Sequence, residues 1–134
     1  LDDGWHTLPI PLYVDGMVSR MQMHLRRYKS TDGEGRGSAD ADGGNIRFVV
    51  EADPIATGPV QLDGLVRCQH DSAATLDLIV RSQSPIAPEL RADIAHLFTD
   101  SLAATGLKGG LVFQAGANWV KVARERASAS NVIA

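Results

Sequence analysis

Apolar side chains recur at every second position through most of this chain, and only one stretch shifts to helical spacing. Period two marks a strand with one buried face, so the pattern dictates a sheet carrying a single amphipathic helix. The expected class is α+β: a mainly antiparallel sheet with one helix packed on it and an N-terminal β-hairpin.

The hairpin is read from Trp5 to Tyr28. Leu8, Ile10, Leu12 and Val14 share one side, and Met17, Met21, Met23 and Leu25 follow after Asp15-Gly16, a dipeptide suited to a two-residue turn. Pro9 and Pro11 lie on the opposite side from the apolar residues and cannot donate to a ladder, so this strand is expected to lie at an edge or to leave its sheet early. From 29 to 45 the chain is rich in Gly, Ser and Asp without a large apolar anchor, and reads as a flexible loop. Three further strands carry Ile46, Phe48 and Val50, then Val60, Leu62, Gly64, Val66 and Cys68, then Leu76, Leu78 and Val80. The last two of these are expected to form a hairpin across the polar stretch Gln69 to Ala74.

Pro88 and Glu89 open the helix, whose apolar stripe is Leu90, Ile94, Leu97, Phe98 and Leu102. Gly106 ends it, and Leu107 is placed to fold back on the last turn. A final strand runs from Leu111 to Gln114, with Trp119 to Val122 as a short continuation. The organisation is one domain: hairpin 1–28, loop 29–45, core 46–122 and tail 123–134. One sheet face receives the helix, and the other needs the hairpin or a partner to cover it.

The 134 residues suffice for a core without disulfides or metal. Thirteen basic against sixteen acidic side chains give a net charge of −3, so neither nucleic acid nor an anionic membrane is an expected partner. Cys68 is the single cysteine and reads as apolar filler, compatible with a reducing compartment. No run is long enough to insert in a membrane, the start does not look like a signal peptide, and the lack of an initiating Met reads as a piece of a longer protein.

No catalytic constellation is visible, and the chain is not expected to be an enzyme. His6, His24, His70 and His96 are scattered without metal-ligand spacing and read as solvated. Asp40 and Asp42 lack the further ligands of a calcium loop, and the glycines at 33, 35 and 37 lack the Lys-Ser/Thr of a phosphate loop. The basic cluster Arg26-Arg27-Tyr28-Lys29 reads as a solvated strand end.

The segment from Ala52 to Leu62 resembles the Leu-x-Pro-x-x-Leu-Gly-x-Val-x-Val stretch in the C-terminal domain of the flagellar hook-length control family. Pro54, Gly58, Val60 and Leu62 fall in register, while Ala52 and Thr57 stand where that family usually has leucine. The following strand, helix and strand match in order, so the resemblance covers roughly residues 46 to 115. It implies a cofactor-free regulatory domain, made in the cytoplasm and passing through a flagellar type III apparatus. Its partner would be the cytoplasmic domain of the export-gate protein, and its action a switch of export specificity. Pro54, Ile55, Gly58, Gln61 and Asp63 are the partner-binding candidates, with Gln61 and Asp63 expected to be exposed because they alternate with Val60 and Leu62. The competing reading is a structural or self-associating module of a larger protein with no export role.

Overall fold

The computed structural model describes residues 4–28, 44–55, 57–68, 73–116 and 119–122. The loop placed at 29–45, apart from its last two residues, and the tail at 123–134 lie outside these.

Six strands form one sheet in the order of the chain: β1 (His6–Val14), β2 (Met17–Tyr28), β3 (Gly44–Ala52), β4 (Val60–Cys68), β5 (Thr75–Ser82) and β6 (Lys108–Ala115). Neighbours are antiparallel except β5 and β6, which are parallel because α1 (Pro88–Thr105) returns the chain between them. The fold is therefore the expected α+β class. The hairpin belongs to the same sheet, since β2 pairs with β3 from Gln22↔Glu51 to Tyr28↔Asn45. It extends the sheet and does not fold over a face. Its distal part, from Ile10 to Met21, passes the end of β3 as a two-stranded ribbon with Leu12, Tyr13, Met17 and Val18 exposed.

Local chemistry sets the ends of these elements. Asp15 (φ 51) and Gly16 (φ 76) both adopt the left-handed conformation that a tight hairpin turn requires. Val14↔Met17 closes that turn as a hydrogen-bonded pair, so the even-numbered residues of β1 bond to β2. Thr7, Pro9, Pro11 and Tyr13 then turn their backbones to the free edge. The two prolines thus remove N–H groups from the side where another strand would dock. At the other end of the chain, Gly106 (φ 76) terminates α1, and the Leu107 N–H donates to Leu102 O over 3.1 Å, the capping bond anticipated from the sequence.

The register places Leu8, Met23, Val50, Leu62, Val80 and Phe113 side by side on one face, and Leu25, Phe48, Gly64, Leu78 and Leu111 in the next row. Phe48 lies across Gly64, where an added Cβ would meet its ring at 2.2 Å. Leu111 and Phe113 are half-buried while Val112 between them is exposed, which puts α1 on the Leu111/Phe113 side. The helix lies nearest β6, and none of its residues is fully buried. Leu90, Ile94, Phe98 and Leu102 are half-buried at intervals of one turn, but Leu97 is 66% exposed. Leu97 therefore falls outside the stripe assigned to it: spacing by four tilts the stripe away from it, and Phe98 takes the inward place.

The fully buried side chains distribute unexpectedly. Val80 is on the helix face, but His24, Val49, Gln61 and Val122 pack on the other, where Trp5, Val49 and Val122 form the buried cluster with Val120 against it. This second face is covered by Trp5 and the segment 119–122, not by the hairpin.

Two substitutions separate these layers. Leu97→Ala is expected to change stability by no more than about 0.5 kcal/mol, as for an exposed site. Gly64→Ala is expected to cost about 1–3 kcal/mol because the Phe48 ring must leave its place. Urea unfolding followed by far-UV circular dichroism reads both.

Candidate functional site

Two places can be built from the residues upward: a polar network on the sheet face opposite α1, and the corner between β3 and β4.

The network arises because the register aligns complementary polar groups on adjacent strands. The Asp63 carboxylate of β4 accepts from Arg47 Nε (2.9 Å) and Nη2 (2.7 Å) of β3, and from Arg81 Nη1 (2.7 Å) of β5. Arg81 also donates to Gln114 Oε1 of β6 (3.2 Å) and to Gln61 Oε1 (3.4 Å). The Gln61 amide donates to Glu51 Oε2 (3.1 Å), and Glu51 Oε1 meets His24 Nε2 at 3.2 Å. The His24 Nδ1 partner is Thr7 Oγ1 on β1, at 2.8 Å. A continuous chain of hydrogen bonds thus crosses the whole sheet from β1 to β6.

Gln61 does more than link neighbours. Its Nε2 donates to Val120 O (2.9 Å) while its Oε1 accepts from Val120 N (3.0 Å), so the side-chain amide pairs with one residue's backbone as a strand would. That contact ties the segment 119–122 across the sheet and lets Val122 reach Val49 and Trp5. The Arg47 and Arg26 guanidinium groups sit over the Trp5 ring, at 5.9 and 5.6 Å from its centroid, and Arg26 also lies 5.2 Å from the Tyr28 centroid.

Electrostatics match this geometry. Burial pushes the Asp63 carboxyl up, but hydrogen bonds from Arg47 and Arg81 outweigh it and hold the group below the usual aspartate range. The Arg47 guanidinium is raised, first by its bond to Asp63. Beside the network an open concavity of about 400 Å³ is lined by Tyr28, Asn45, Arg47, Asp63, Leu65, Asp77 and Ile79. Its charged groups are already paired: Arg47 with Asp63, and Asp77 with Arg67 at 3.1 Å. Among the described residues no group of His, Cys, Asp or Glu is arranged to hold a metal ion.

The corner has a different character. Gly58 N–H donates to Pro54 O over 2.8 Å, Gly58 takes φ 73, and Thr57 Oγ1 donates to Gly58 O over 3.1 Å. This tight closure projects Ile55 into solvent at 88% exposure, with Asp53 and Pro54 exposed beside it.

Of the candidates drawn from the sequence, Pro54, Ile55 and Gly58 therefore meet in one corner. Gln61 and Asp63 do not join them on the surface: they are 0% and 6% exposed, in the network. Alternation correctly put them opposite Val60 and Leu62, but that face is also covered. For the same reason His24 is buried and hydrogen-bonded, not solvated, while His6 and His96 are exposed and His70 lies outside the described residues. Arg26 is half-buried over the Trp5 and Tyr28 rings, while Arg27 is exposed. The network escaped the sequence reading although its signal was present. Polar residues of opposite charge occupy matching alternate positions of β3, β4 and β5.

Comparison of the chain with protein-family models, with curated proteins and with solved structures finds no match. No helix among the described residues is long and apolar enough to cross a membrane.

Asp63→Ala is expected to destabilise the fold by about 3–5 kcal/mol, because it leaves two guanidinium groups facing one another without their shared counter-charge. The pH dependence follows from the lowered carboxyl. Its contribution is complete above the unfolded-state value of about 4 and is lost as pH falls through the lower native value. Denaturant midpoints measured from pH 7 to pH 2 should fall in that acid window for the native chain, and the fall should be smaller in Asp63→Asn.

Proposed function

We propose that this chain is a regulatory protein-binding domain of the hook-length control kind. It docks on the cytoplasmic domain of a flagellar-type export-gate protein, switches export specificity by that contact, and catalyses no reaction. In this reading it is made in the cytoplasm and travels through the type III apparatus.

The observation that carries the reading is the β3–β4 corner. The residues that bear the resemblance, Pro54 and Gly58, form a closed turn whose tip is an exposed isoleucine. An isoleucine held out beside a hydrogen-bonded turn closure offers an apolar anchor to a pocket. The polar network supports the reading from the other side: its charged and amide groups hydrogen-bond each other and the segment 119–122, which suits a scaffold holding the corner. Gln61 and Asp63 accordingly act through the fold, and the contact falls to Ile55 and its exposed neighbours.

The test is capture of the purified export-gate cytoplasmic domain by this chain, with Ile55→Asp as the decisive variant. Binding should fall at least about tenfold while the thermal midpoint stays within a degree or two, as expected of an exposed anchor. Undiminished binding by Ile55→Asp would remove the corner from the interface, and absence of any binding by the native chain would end the export reading.

A further inference from the structure

The two edges of the sheet are built differently. On β1, Pro9 and Pro11 occupy outward positions and supply no N–H to an incoming strand. On β6 the phase of the ladder follows from its ends. Lys108 N–H donates to Ala74 O (3.2 Å) and Gly116 N–H to Ser82 O (2.9 Å), so Gly110, Val112 and Gln114 between them also face β5. Gly109, Leu111, Phe113 and Ala115 therefore turn N–H and C=O to the free side. The sheet ends at β6, and no described strand pairs with that side.

Among the described residues this edge has none of the usual protection. β6 is eight residues long, contains no proline, and carries no charge from Gly109 through Gly116. Val112 is 52% exposed on one face, while Leu111 and Phe113 are only half-buried on the other. A long, uncharged, apolar edge beside a proline-blocked one is the pattern of an edge meant to be paired.

We infer that β6 pairs with β6 of a second copy of this chain, antiparallel about a two-fold axis at Val112, giving one sheet continuous across both copies. The segment is self-complementary in this register. Leu111 faces Phe113 of the second copy, and Gly109 faces its Ala115. Both are hydrogen-bonded pairs formed from backbone groups already turned outward. Val112 meets its own counterpart as a non-hydrogen-bonded pair, in which opposed side chains approach most closely. Lys108, the strand's one charge, falls opposite Gly116 of the second copy, so no like charges oppose one another. A two-fold axis also makes the contact closed, so pairing stops at the dimer, and the prolines of β1 prevent growth from the outer edges. This inference is independent of the export reading, since it uses β6 and not the corner.

Sedimentation velocity of the chain over a roughly hundredfold concentration range tests it, since a dimer responds to concentration by mass action. The expected result is a monomer–dimer equilibrium. Val112→Lys sets two ammonium groups face to face at the axis and should weaken the dimer by at least about tenfold. Its circular dichroism should not change, because the side chain is half-exposed and its backbone bond to β5 is kept. Val112→Glu should behave alike, and mixing the two variants should restore a mixed dimer. Ala115→Pro removes an outward N–H, as the prolines do on β1, and should weaken pairing again. A chain that stays monomeric over the whole range overturns the inference and leaves the edge to a strand of another protein. A dimer indifferent to Val112→Lys and to mixing overturns it too, by placing the contact elsewhere.

Discussion

The Asp63 carboxylate is the point on which the covered polar face depends. Arg47 and Arg81 approach it from the strands on either side, and without it two guanidinium groups would share a partly dry surface with no counter-charge. With it, Arg81 can also reach Gln61 and Gln114, and Arg47 can lie against Trp5. The rest of the network follows by hydrogen bonding, through Glu51 and His24 to Thr7. Buried polar groups are tolerated when each finds a partner, and His24, Gln61, Asp63 and Arg81 find theirs across strands.

That face is then closed by a short piece of chain whose first three residues, 119 to 121, lie in neither helix nor strand. The segment 119–122 stays on the sheet because the Gln61 amide offers one donor and one acceptor in the spacing of a peptide group, and because Val122 fills the space between Val49 and Trp5. The opposite face has more apolar side chains but a looser cover. A helix that buries none of its residues completely, lying nearest the outermost strand, leaves much of that face half-exposed. Among the described residues, most of the fully buried side chains lie on the side richer in charge.

The two surfaces proposed for binding lie outside both layers. The β3–β4 corner holds an apolar side chain in solvent by a hydrogen-bonded turn with a left-handed glycine, and β6 presents unpaired backbone along an uncharged edge. Each projects from the hydrogen-bonded sheet behind it. An exposed isoleucine on a loose loop, or an open edge on a frayed strand, would have to be ordered before it could bind.

Sequence by itself determined the strands, the helix and their order. Apolar alternation at period two, the Asp15-Gly16 turn, the prolines of the edge strand, and the Pro88 and Gly106 ends of the helix are local signals, decided within a few residues. It also placed Pro54 and Gly58 in one corner, because a proline and a left-handed glycine close a turn without help from elsewhere. Only the tertiary structure decided what covers each face. Alternation tells which side of a strand Gln61 and Asp63 occupy, but whether that side meets water depends on Trp5 and on residues 119–122, which are distant in sequence. The same holds for His24, whose burial requires β1, β3 and the closing segment together, and for Leu97, whose exposure depends on how α1 is rotated over β6. Burial is a property of long-range contacts, and a local pattern can report the side of a strand without reporting its cover.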